Sequence, residues 1–187
     1  MKTVFPFKSV FAYEYLNLDL DLIKKECQYI VEQSPSRTFS NRGGYQSHDL
    51  QFTTKGLINM EKNITKKVKL FAKKILELQN NIKLDNIWLN INKYKDYNVD
   101  HEHPGSIVSG VFYISVSKNS GEIAFIGNTK IYSYLNHKNY NINFNNCATY
   151  KVPVENNKLI LFPSWLVHRV EPNFSNEDRI SFSFNYS

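Results

Sequence analysis

The rhythm of apolar and polar positions changes about halfway along the chain. In 17-NLDLDLIKKECQYIVEQS-34 the apolar residues Leu22, Ile23, Cys27, Ile30 and Val31 return every three or four places. That spacing lines one side of an α-helix, with Asn17 or Asp19 as its cap. A second helix is expected over 58-INMEKNITKKVKLFAKKILELQNN-81, where Ile64, Val68, Phe71, Ile75 and Leu78 form the stripe to be buried. Between the two, 35-PSRTFSNRGGYQSHDL-50 is rich in turn formers and reads as an ordered loop.

From residue 86 the period drops to two. Segment 86-NIWLNINKY-94 alternates Ile87, Leu89 and Ile91 against Trp88, Asn90, Asn92 and Tyr94. Comparable short runs follow at 107–117, 121–126, 149–154, 158–163, 166–171 and 178–186. Helices first and then seven strands predict an α+β fold with a sandwich or jelly-roll pair of sheets. The polar, Asn-heavy stretch 127–146 is expected to be a long loop over one end of those sheets. No internal repeat or linker interrupts the pattern, so residues 1–187 read as a single domain.

Composition narrows the function classes. A hydrophobic fraction of 42% and an aromatic fraction of 14% exclude a disordered chain. No apolar run reaches the ~18 residues of a spanning helix. Pro6, Lys8 and Glu14 break up any signal-like N-terminus, so an intracellular, cytoplasmic setting is expected. Cys27 and Cys147 fit no metal or redox spacing and read as free thiols. The net charge of +6 permits an acidic partner or nucleic acid, but many of the lysines cluster in 62–74, where they suit the solvated face of a helix. Arginine is scarce: only Arg37, Arg42, Arg169 and Arg179 occur.

The candidate chemistry begins at 99-VDHEHPGSIVSGVFYIS-115. Two of the five histidines lie here, one residue apart. In extended backbone His101 and His103 project to the same side and Glu102 to the other. Two imidazoles on one face make a two-point metal clamp if a third donor arrives from another strand. His168, in 162-FPSWLVHRVEPN-173, is the best candidate; His48 and His137 lie in loops without comparable context. Each histidine, taken singly, also suits an ordinary half-buried position. In 178-DRISFSFNYS-187 Arg179, Ser181, Ser183 and Asn185 share one face, and Ile180, Phe182, Phe184 and Tyr186 the other. That pattern suits a strand lining a polar cavity or an ordinary half-exposed one. Trp88 and Trp165 read as packing residues, and Gly110 as a point of close backbone approach.

These blocks together resemble a known family. HEHPGSIVSGVFYI, SGEIAF, LILFPSWLVHRVEPN and DRISFSFN, with SNRGGYQSHDL upstream, are similar to the signature of 2-oxoglutarate/Fe(II) oxygenases of phages and marine bacteria. Those enzymes are related to the prolyl 4-hydroxylase-like group. The resemblance covers about residues 36 to 186. It implies a double-stranded β-helix (jelly roll, cupin-like) braced by N-terminal helices, with Fe(II) in its mouth and 2-oxoglutarate and O2 as cosubstrates. His101, His103 and His168 would hold the iron. Position 103 is a carboxylate in the wider superfamily and His here, so Glu102 stands as the competing ligand, reachable through a local bulge. Arg179 would grip the distal carboxylate of 2-oxoglutarate, with Ser181 adding a hydrogen bond and Tyr94, Asn92 and Asn90 facing the cosubstrate. The implied activity is hydroxylation of a C–H bond in a peptide or small molecule, with release of succinate and CO2. A non-catalytic metal-binding jelly-roll module and an enzyme oxidising nucleic-acid bases are the alternatives. The second lacks the interleaved basic and aromatic residues that hold single strands.

Overall fold

A computed structural model of the chain describes residues 9–127 and 147–187. The expected loop at 127–146 therefore lies, apart from Gly127, outside the described residues, as does His137. The described chain runs β1 (Ala12–Tyr15), α1 (Leu20–Gln33), β2 (Asn41–Arg42), β3 (Tyr45–Gln46), α2 (Lys55–Lys74), β4 (Leu84–Asn92) and β5 (Tyr97–His101). It continues through β6 (Val108–Ser115), β7 (Ile123–Ile126), β8 (Thr149–Val152), β9 (Lys158–Pro163), β10 (His168–Val170) and β11 (Arg179–Tyr186). Two antiparallel sheets result, ordered β1-β9-β6-β11-β4-β3 and β2-β5-β10-β7-β8. This is the α+β jelly roll that the patterning implies.

Both helices form for the reasons their spacing suggests. Asp19 caps α1, its side chain accepting from the Leu22 backbone N–H. Ile23, Cys27 and Ile30 are buried, whereas Leu22 and Val31 stay exposed because the buried arc is narrower than the apolar one. Helix α2 begins three residues before the expected start and ends at Lys74, so Ile75 is its exposed C-cap rather than part of the stripe. Leu57, Met60, Ile64, Val68 and Phe71 carry the burial instead.

The six-stranded sheet is covered on both faces. One face meets the helices through Leu89, Phe112, Leu159, Phe182 and Phe184, among others. The other meets the second sheet, where Val111, Tyr113, Ile160 and Phe162 join Ile123, Phe125 and Val152. Strands β6, β9 and β11 are consequently buried almost end to end, as strands sandwiched on both sides are. Gly110 fits the expectation of close approach. A methyl there would sit 2.5 Å from the Phe184 ring and 2.6 Å from the Ile160 carbonyl.

The loop 35–50 is more ordered than turn chemistry alone suggests. Its two short strands are edge strands of different sheets: β2 pairs with β5, and β3 with β4. Gly43 and Gly44 join them with φ of 71° and 69°, the left-handed conformation a tight turn requires and side chains resist. The Asp96 carboxylate packs against Gly43, and its Oδ2 accepts from the Lys93 N–H at 2.7 Å.

Candidate metal centre

His101 ends β5 and His168 opens β10, and the two are direct cross-strand partners. Their side chains therefore leave neighbouring strands on the same face, and their ring centroids lie 4.3 Å apart. His103 comes two residues later on the connection to β6. Its backbone N–H donates to the Ser164 carbonyl at 3.0 Å, which ties that connection to the turn after β9. The His103 ring stands 5.2 Å from each of the other two. One ligand atom from each histidine lies within 4.8 Å of the other two. An ion ~2.1 Å from every nitrogen needs those atoms ~3.0–3.6 Å apart, so the three rings would draw in around it.

The rings are prepared as neutral donors. The His101 Nδ1 contacts the Val99 carbonyl at 2.7 Å, and the His168 Nδ1 contacts the Leu166 carbonyl at 2.9 Å. A proton on each Nδ1 satisfies those carbonyls and leaves Nε2 unprotonated for a metal. Burial lowers the pKa of all three, His103 to about 4 and His168 well below the ordinary imidazole value. The nearby imidazoles add to the effect for His103 and His168.

A second polar group faces the triad across a narrow cavity. Arg179, Ser181, Asn90, Asn92 and Tyr113 line it together with the three histidines. Sheet register explains the grouping, because Arg179 lies opposite Asn92, and Ser181 lies between Asn90 and Tyr113. Arg179 is almost fully buried. Its Nη1 donates to the Ser120 carbonyl and, at 3.1 Å, to the Glu171 carbonyl. Among the described residues, its Nη2 and the Tyr113 hydroxyl have no hydrogen-bond partner. Burial raises the Tyr113 pKa, so that hydroxyl is a donor. Leaving a buried donor unpaired costs ~1–3 kcal/mol, and a carboxylate placed between these two would satisfy both. The donor set and the orphaned donors therefore suit a divalent ion with a dicarboxylate beside it.

The expected site residues fall as follows. His101, His103, His168, Arg179, Ser181, Asn90 and Asn92 share one cavity. Tyr94 does not line it. Strand β4 ends at Asn92, the alternation stops in a turn over 93–96, and Tyr94 is 55% exposed against Phe174. Glu102 is exposed and outside the triad, with the side chains of His101 and His103 on either side of it turned inward. Trp88 is buried beside His103, as a packing residue should be, but Trp165 is 62% exposed and does not pack. Tyr113 is the residue that sequence reasoning missed. Its signal was a lone phenol in an apolar strand, at a position that alternation places on the cavity face.

Comparisons with known proteins agree with this geometry. The family model for 2OG-Fe(II) oxygenases matches residues 86–185. Among curated proteins none is similar enough to match. Solved structures share the fold at low identity. A Pseudomonas putida prolyl-4-hydroxylase aligns with a TM-score of 0.65 and 14% identity, covering 95% of this chain and 92% of that one. The viral collagen prolyl hydroxylase of Paramecium Bursaria Chlorella virus-1, solved with 2-oxoglutarate, gives 0.60 and 12%, covering 94% of each. HygX from Streptomyces hygroscopicus, solved with nickel, 2-oxoglutarate and hygromycin B, gives 0.66 and 11%, covering 96% of this chain and 83% of that one.

Proposed function

This chain belongs to the 2OG-Fe(II) oxygenase family, and on that premise we propose that it is a hydroxylase whose iron is held by His101, His103 and His168. The observation that carries the reading is one cavity containing three converging imidazoles and two unpaired buried donors. When bound, iron, 2-oxoglutarate and O2 supply oxidation of a substrate C–H bond, with release of succinate and CO2.

The protein's part is positioning and exclusion of water. The carbonyls of Val99 and Leu166 set the tautomers of two ligands. Arg179 presents its free Nη2 to the distal carboxylate of 2-oxoglutarate, and its planar fork suits that anion. Ser181 and Tyr113 add hydroxyl donors, while Asn90 and Asn92 offer amides along the same wall. Phe162 and Phe125 pack around His168 and keep water from the ligand. The residues act as one unit in residues 1–187, on a peptide or small-molecule substrate. Two free thiols suit a reducing, cytoplasmic setting.

Anaerobic addition of Fe(II) and 2-oxoglutarate should produce a weak visible charge-transfer band, and admission of O2 should produce succinate. His168→Ala should lose both. Undiminished succinate formation by that variant would overturn the ligand set. A metal bound tightly with neither band nor succinate would establish instead the non-catalytic metal-binding module.

A further inference from the structure

A second opening, about 510 Å³ in volume, is lined by two of the three histidines, His101 and His103. His101, His103, Trp88 and Ser40 line both it and the cosubstrate cavity, so the imidazoles stand where the two meet. The 35–50 loop supplies much of its wall, including Arg37, Phe39, Gln46 and Asp49. Among the described residues, Arg37 is the only Lys or Arg lining it. Its guanidinium stacks over the Phe39 ring at 4.8 Å and stands 6.0 Å from the Trp88 ring. Its Nη2 donates to Asp49 at 2.6 Å, and its buried Nε has no partner among the described residues.

We propose that Arg37 is the specificity-determining residue of this groove and that it selects substrates carrying an oxyanion, a carboxylate or a phosphate, next to an apolar body resting on Phe39. The inference extends the oxygenase reading and rests on it. Three observations converge. First, Arg37 is held by two aromatic faces, so little rotamer freedom remains to be lost when an anion docks. Its partner Asp49 is 52% exposed while the Arg37 side chain is 19% exposed, so solvent screens the pair from the Asp49 side only. The unpaired Nε leaves the guanidinium a donor to offer an anion without breaking that pair. Second, the other three arginines are committed elsewhere. Arg42 donates to the Phe39 and Asn41 carbonyls, Arg169 to Glu171 and Asp100, and Arg179 to the Ser120 and Glu171 carbonyls.

Third, the histidine at position 103 changes the charge of the centre. Three neutral imidazoles carry no formal charge, whereas a carboxylate there would add one negative charge beside the groove. An anionic substrate thus meets less like-charge repulsion at the reacting end, and the net charge of +6 favours its approach. A cationic substrate would have to rely on Glu102, which is exposed and screened, since Asp49 is taken by Arg37. Phe39, 66% exposed, is free to cover an apolar segment.

The test uses three probes with similar apolar bodies: 4-phenylbutanoate, 2-phenylethyl phosphate and 4-phenylbutylamine. Binding is measured by calorimetry on the zinc-loaded full chain with 2-oxoglutarate present, so no turnover is needed. An oxyanion probe should bind at least about tenfold more tightly than the amine, one such factor being worth ~1.4 kcal/mol. Arg37→Gln should abolish the preference, and Arg37→Lys should retain part of it through charge alone. The carboxylate and phosphate arms decide which oxyanion is meant. Arg179→Gln, which should abolish cosubstrate binding, separates the two hypotheses. An oxyanion preference that survives Arg179→Gln but not Arg37→Gln supports this proposal even if the oxygenase reading fails. A preference lost in Arg179→Gln and kept in Arg37→Gln places the probes in the cosubstrate cavity and overturns it. Tighter binding of the amine overturns it as well.

Discussion

The guanidinium of Arg179 shows how tightly single residues are constrained near the centre. It reaches its place because the 119–121 turn brings backbone, not side chain, against it. Gly121 has φ of 84°, and a methyl there would lie 2.7 Å from Nη1 and against the Glu171 carbonyl. Gly121→Ala should therefore displace the arginine and weaken 2-oxoglutarate binding at least about tenfold, measured by titration of the charge-transfer band. Unchanged affinity would mean that the guanidinium does not hold the cosubstrate. Cys27 offers a contrasting case, since its thiol is buried beneath α1 and burial pushes its pKa up to about 12. A disulfide-exchange reagent should find it inert in the folded protein and reactive in denaturant. Most residues lining the cavity were legible at this scale because period-two alternation survives from strand to cavity. His101, His103, Arg179 and Ser181 lie on the face that counting assigns them. Tyr94 escapes the count because its strand stops two residues earlier, and no pattern within β4 marks that stop.

Elements depend on contacts that local sequence does not display. Helix α2 has Thr54 in its cap position, yet the threonine side chain accepts no bond. Glu26, from the middle of α1, does the capping: its carboxylate accepts from the Gly56 and Leu57 N–H groups at 3.1 and 2.9 Å. The same carboxylate leaves no space for a side chain at position 56, where a methyl would stand 2.6 Å from Oε2. An anion at a helix N-terminus contributes ~0.3–1 kcal/mol, more where partly buried. Glu26→Gln should thus destabilise the fold by about 1 kcal/mol in denaturant melts, and Glu26→Ala by more. No effect in either would remove the carboxylate from the account. The unexpected β1, β2, β3 and β5 share one cause. Segments of two to five residues are too short for a period to register, and their partners lie far along the chain. Strand β1 pairs with β9, almost 150 residues away, and its register could not be read from either alone.

The molecule as a whole places a cluster of uncharged imidazoles inside a basic protein, and its stability should depend on pH accordingly. In the unfolded chain each histidine titrates near 6.5. In the fold all three are held lower, His103 at about 4. Between those values the unfolded state binds protons that the folded state refuses. The stabilisation is therefore present above about pH 6.5 and lost progressively as the pH falls toward 4. The metal-free protein should show a falling Tm over that window, and replacing His103 with Asn should flatten the slope. A metal that binds only the folded state should raise Tm in proportion to the logarithm of its concentration over Kd. The overall architecture was legible because two helical periods precede a series of alternating ones. Which face of which sheet would be covered twice was not, because burial on both faces erases alternation and leaves continuous apolar runs such as 158–163.

The loop with the Gly43–Gly44 turn lends one strand to each sheet, and so it works like a hasp across the end of the jelly roll where the histidines converge. Opening it by a single protease cut at the glycines would unlatch the two walls there and leave the helix-braced side intact. Metal and cosubstrate, by drawing the walls together, should slow that cut. The rate of nicking would then report how often this end of the jelly roll breathes.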